Sequence, residues 1–325
     1  YLKHDSKFLN LFFFFIFFCF IILVFVGFYQ YFVGENIIGL KRSFRTSSFF
    51  GEEKILGSYL SRLWPLFFGI SLLVIKSKNF FFISLILIFI LTEVLIFLSG
   101  DRTAFFYINL SAIFVIIFSK KLVKLRILIL ISSIVLLILI SYINPTAKQR
   151  VIDQTINQMN LKSLLTSSNE GHNNKPISIN IFTVEHTHHY ISAFRIFLDN
   201  KIIGVGVKNF RIFCKEEKYI ISNFSCSSHP HNTYVQILTE TGIIGFLFII
   251  IILIHFCIKM LKHFLMKLRG KYFFSDFEIC ILSAIAIYLF PFVPTGNIFN
   301  NWLNIIMILN LPFLLWSLEL KKLNK

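Results

Sequence analysis

Residues 8–30 read FLNLFFFFIFFCFIILVFVGFYQ, a run with no charged side chain and no polar face at helical spacing. A helix needs about 20 apolar residues to cross the hydrocarbon core of a bilayer. One that is apolar all round has no side to present to water. Working outward from this run, comparable stretches recur near 58–75, 80–98, 104–118, 127–143, 233–258, 279–298 and 302–319. The sequence therefore predicts an all-α fold, a polytopic transmembrane helical bundle of about eight spans with one large periplasmic loop containing short helices. The expected division is 1–143 for five N-terminal spans, 144–232 for the large loop and 233–325 for three C-terminal spans. Composition excludes the alternatives: 56% hydrophobic residues, 15% charged residues and 42 Phe in 325 residues fit neither a soluble multidomain enzyme nor a disordered chain. The chain opens on Tyr1 rather than Met, so N-terminal truncation is expected and the span count is a lower bound.

The formal charge of +16 suggests nucleic acid only until its placement is read. With the N-terminus inside, sixteen Lys and Arg fall in short inner connections, against Asp5, Asp276, Glu278 and Glu319 alone. That asymmetry is the positive-inside pattern. The basic excess is topology, and no nucleic-acid partner is expected. The polar segments 31–57 and 144–232 then face outward. No small-residue cleavage site follows the first run, which reads as a retained helix rather than a signal peptide. Cys214 and Cys226 share the outer loop. A bridge between them would be worth about 3 kcal/mol in the chain-entropy model; two free thiols are the alternative.

The large loop opens with Asn144-Pro145, and Ile152, Ile156 and Met159 recur at helical spacing, as on an amphipathic surface helix. His186, His188 and His189 crowd one short stretch. Nothing completes a zinc ligand set around them, so no metal is expected and the imidazoles are read as meeting water or sugar. Gly204-Val205-Gly206 reads as a tight backbone turn rather than a dinucleotide site. His229-Pro230-His231 sits where the loop re-enters the membrane. Imidazole is the side chain suited to accepting a proton near neutral pH.

His231-Asn232, followed after nine residues by Gly242-Ile243-Ile244-Gly245, resembles the signature of the O-antigen ligase and polymerase family. Phe50-Gly51-Glu52-Glu53, Leu56-Gly57-Ser58-Tyr59-Leu60, Ser99-Gly100-Asp101-Arg102-Thr103-Ala104 and the stretch 193–234 look like further family blocks. The resemblance implies a membrane glycosyltransferase of the bacterial inner membrane, with its active site facing the periplasm. It would move a glycan from a polyprenyl pyrophosphate carrier to a glycan or lipid A-core acceptor, without cofactor or metal, inverting the anomeric centre. Membrane lipids are its other partners. By the same resemblance His231 is the base.

Leaving pyrophosphate gathers negative charge that fixed guanidiniums stabilise. Arg102 and Arg195 are the expected catalytic partners of His231. Arg211, His229, Asn232, Glu240, Arg42 and Arg45 are substrate-binding candidates. For the arginines the alternative is a solvated loop cation or an interface anchor. Arg62 is read as facing an internal cavity, and Glu93, deep in an apolar span, as either catalytic or paired with a neighbouring helix. Gly242 and Gly245 allow close helix packing as a purely structural role. Pro291 and Pro294 should kink or end their helix. The competing functions are an O-antigen polymerase joining lipid-linked repeat units and a lipid-linked glycan flippase, which would show inverted repeats and midplane charges.

Overall fold

A computed structural model describes residues 6–43, 45–75, 80–143, 145–158 and 182–323. Met159 and the connection after it lie outside these residues. The long helices are α1 Ser6–Val33, α2 Leu56–Val74, α3 Phe80–Leu98, α4 Arg102–Phe118 and α5 Val123–Ile143. They continue with α6 Val184–Asp199, α7 Thr233–Leu268, α8 Asp276–Leu289 and α9 Asn301–Leu323. No β-strand occurs among the described residues; a single bridge joins Glu35 and Lys41. The protein is thus an all-α polytopic helical protein. Helices starting at Lys7, Leu56, Val123, Thr233 and Asn301 are long and apolar enough to cross a membrane, and Phe82–Leu98 and Arg102–Phe118 are shorter apolar helices.

Two boundaries correct the sequence reading. The expected span 279–298 is not one helix: α8 stops at Leu289, just before Pro291, which ends it as the sequence predicts because its ring and missing N–H cannot continue a helix. The fifth span begins at Val123 rather than 127, so Arg126, one of the sixteen cations expected in the inner connections, lies within the helix and is wholly buried.

The chain forms two compact units. The first comprises 1–151, 262–288 and 306–325. Within it α1, α2 and α3 pack on one another, as do α2 with α4 and α3 with α5. The reason is visible along α1, where Phe13, Ile16, Phe20 and Val24 recur at three- and four-residue spacing and are buried. Phe15, Phe18 and Phe25 point the other way and stay more than 60% exposed, as lipid-facing side chains do. Phe67 lies 5.9 Å from Phe13 and 4.6 Å from Phe20, and Phe89 joins Phe67 at 5.1 Å, so aromatic faces fill the centre. Buried Gln30 orders the connection after α1, accepting from Ser47 and Ser48 N–H groups at 2.8 and 2.7 Å.

Unit one also answers the question of Glu93. It pairs with Arg126, and its second oxygen accepts from Ser133 at 2.5 Å. The guanidinium lies 4.3 Å from the Trp64 ring centre. A charge in an apolar interior is tolerated when it is paired in this way.

The second unit comprises 152–261 and 289–305. Ala193 and Ile196 of α6 pack with Phe210, Cys214 and Tyr219 in its core. Cys214 and Cys226 are joined in a disulfide with Cα atoms 5.1 Å apart. Its second organising contact is backbone on backbone. Gly242 interrupts α7 with φ 65°, and Gly204 has φ 67°. A Cβ on Gly242 would stand 2.2 Å from the Ile202 carbonyl oxygen, so no side chain fits. The break frees helix carbonyls: Val205 N–H donates to Thr239 O at 3.1 Å and Gly206 N–H to Glu240 O at 2.9 Å.

Candidate functional site

Unit two holds His231 in a conformation few residues adopt. Its φ is 59°, in the left-handed region that costs a side-chain-bearing residue about 1–2 kcal/mol. The neighbours enforce it. Thr295 N–H donates to His231 O at 2.8 Å, and Tyr190 OH lies 3.5 Å from the same oxygen. Asn232 begins α7, its Oδ1 accepting from Tyr234 and Val235 N–H at 3.0 and 3.2 Å. This is a helix N-cap. The Asn232 amide also donates to Pro291 O at 2.8 Å, so the whole side chain is engaged in structure.

Three imidazoles surround His231. The ring of His229 lies 4.1 Å away and those of His186 and His189 each 5.4 Å away, centre to centre. His229 is committed: Nε2 lies 3.1 Å from Thr295 O and Nδ1 2.9 Å from Ser228 Oγ. Because a carbonyl only accepts, Nε2 carries the proton. Among the described residues no protein group hydrogen-bonds a ring nitrogen of His231. Burial, then the three neighbouring imidazoles, push His231 down to about 3. It is neutral near pH 7, with a lone pair available. Burial likewise lowers His229 and His189. His188 takes no part, its Nδ1 lying 2.7 Å from Ser222 Oγ. Among the described residues no group of His, Cys, Asp and Glu is arranged to hold a metal ion.

The other candidates in this unit fall into distinct places. Glu240 is fully buried, and both its oxygens are taken: Lys208 N–H at 2.9 Å, Phe210 N–H at 3.1 Å and the Gln236 amide at 3.0 Å. It clamps the 208–210 turn, which leaves no oxygen pointing at a ligand. Arg211 is exposed, its Nε donating to Lys208 O at 2.9 Å, and its charge reaches His229. Arg195 is exposed on α6. It lies nine residues beyond His186, about half a turn round the helix and so on the opposite side from that histidine.

Unit one carries a separate cationic cluster. Two of the sequence blocks meet there: a Cβ on Gly57 would lie 2.5 Å from Ser99 Oγ and 3.0 Å from Asp101 Cβ. Asp101 caps α4, accepting from Ala104 N–H at 3.1 Å, while Ser58 Oγ donates to its other oxygen at 3.0 Å. Around the Gly100 turn, Arg150 donates from Nε to Gly100 O at 3.0 Å. Burial, then the charges of Arg45 and Arg102, hold Arg150 below the ordinary guanidinium value. Arg45 keeps a buried Nε with no hydrogen-bond partner. Arg42 stands apart, donating to Tyr31 O at 2.8 Å over the Tyr31 ring. Arg62 is buried, its guanidinium 4.7 and 5.5 Å from the Tyr107 and Tyr288 ring centres.

A family model described as O-antigen ligase matches residues 83–250, just over half of the chain. The chain belongs to the O-antigen ligase family. No curated protein matches it. The matched segment of this O-antigen ligase family member contains Arg102, Arg195, Arg211, His231 and the Gly242 break. The family supports ligase- or polymerase-like glycan transfer in general, with lipid-linked glycan substrates in a membrane setting. Sequence reasoning missed Arg150, His186 and His189 as neighbours of the candidate groups. For the histidines a signal existed: His186 and His189, with Tyr190, are spaced i, i+3 and i+4, one helix face.

Proposed function

We propose that this protein moves a glycan from a polyprenyl pyrophosphate carrier to a sugar hydroxyl of lipid A-core at the periplasmic face of the bacterial inner membrane. The observation that supports it is His231: strained, neutral, and with ring nitrogens that no described protein group occupies. In this reading the acceptor O–H gives its proton to His231 as its oxygen bonds the anomeric carbon. The anomeric carbon–phosphate oxygen bond breaks, its electron pair leaving with the pyrophosphate, and in-line attack inverts the centre. Pyrophosphate charge is met by arginines, for which Arg102 with Arg45 and Arg150 in one unit, and Arg195 and Arg211 in the other, are the candidates. Guanidiniums supply this charge without a metal; activity lost to a chelator and restored by one divalent ion would overturn that part.

The experiment is glycan transfer in reconstituted vesicles, with a polyprenyl pyrophosphate-linked oligosaccharide and two separate acceptors. Modified lipid A-core is the expected result. A ladder of lengthened lipid-linked chains means a polymerase instead. Labelled lipid moving to the other leaflet without transfer means a flippase.

A further inference from the structure

Beside His231, α6 presents a face made of rings. His186 and Tyr190 are stacked with centres 6.3 Å apart and planes 20° from parallel, and Phe182 meets the Tyr190 ring edge-on at 4.9 Å. All three are partly exposed. His186 is fixed by the start of the helix, where Thr183 Oγ1 accepts from His186 N–H at 3.3 Å and lies 2.9 Å from its Nδ1. Next to it His189 is 92% buried, and its Nδ1 has no hydrogen-bond partner. A buried polar atom left unpaired costs about 1–3 kcal/mol, which a hydroxyl at that position would recover.

We propose that this face, formed by Phe182, His186, His189 and Tyr190, is the subsite for the acceptor sugar ring. The assignment rests on the reading of His231 as the base. Aromatic faces are electron-rich and attract the polarised C–H face of a pyranose, while the hydroxyls of the same ring find imidazole nitrogens. A lipid chain would use the rings and leave His189 unpaired. Arg195 lies on the far side of the helix from His186, so no guanidinium of α6 stands on this face for the pyrophosphate end of the donor. Only the acceptor must place a hydroxyl against His231, and the His186 ring stands 5.4 Å from it.

The test uses the full chain in vesicles with the lipid-linked donor and, in turn, lipid A-core and the lipid-linked oligosaccharide as acceptors. Tyr190→Ala is expected to raise the KM of the acceptor that is used about fivefold to tenfold, with donor KM nearly unchanged. Tyr190→Phe keeps the ring and should keep the wild-type acceptor KM, any loss being confined to kcat because the missing hydroxyl contacts His231 O. His186→Ala should reproduce the split, so a folding failure of one variant leaves the other informative. A rise in donor KM, or an unchanged acceptor KM in both alanine variants, overturns the subsite. Those outcomes leave the base intact if His231→Ala still abolishes transfer; survival of transfer in His231→Ala removes the base and the subsite together.

Discussion

Two polar clusters in this protein were both marked by the sequence as unusual, and they resolve in opposite ways. Glu93 and Arg126 are opposite charges from neighbouring helices that meet, with Ser133 on the free carboxylate oxygen. In the other cluster His231 is held neutral by burial and by the imidazoles around it, and this central ring bonds to no described protein group. A cluster whose charges are internally answered holds helices together; one whose central group is kept neutral and open is prepared for something outside the protein. Glu240, with both oxygens occupied, belongs with the first kind although it shares a unit with the second.

The largest expected effect breaks the first cluster. Arg126→Ala leaves Glu93 buried without its partner and should cost about 3–5 kcal/mol, read as lost thermal stability in detergent. Replacing both residues by apolar ones of similar volume should recover most of that loss. If the single variant melts like wild type, the pair is not structural and the contrast fails.

Next comes the scaffold of the second unit. Replacing Cys214 and Cys226 together by Ser should cost about 3 kcal/mol. Reductant should lower the melting temperature of the wild type and not of the double variant.

Acid separates the clusters more finely. His231 has an ordinary value of 6.5 when unfolded and about 3 when folded, so the unfolded chain binds its proton first as pH drops. The stability gained from burying it neutral is whole above about pH 6.5 and is lost as pH falls toward about 3; His229 and His189 are lowered too and act with the same sign. Melts followed downward from pH 7 should show this loss, reduced in His231→Gln. The smallest effect is local: Asn232→Ala removes the cap of α7 and should cost about 1 kcal/mol.

The apolar runs were legible because lipid leaves no choice of partner along a whole helix. Boundaries were less so: Arg126 reads as an inner-surface cation until Glu93 is brought against it, a contact that no local pattern encodes. The same limit applied at the site. His231, Gly242 and Gly245 stood out by spacing, whereas Arg150 looked like one residue of a surface helix and meets Arg45 and Arg102 only through folding. His186 and His189 had helical spacing in plain view, but what that face looks toward is decided by the 229–232 segment and its contacts with Thr295 and Pro291.

The most direct measurement is transfer by His231→Ala in vesicles where the variant inserts and melts as wild type does. With His231 as the base, kcat should fall at least about a hundredfold while binding of the lipid-linked donor is kept. Transfer close to the wild-type rate would contradict the account at its centre.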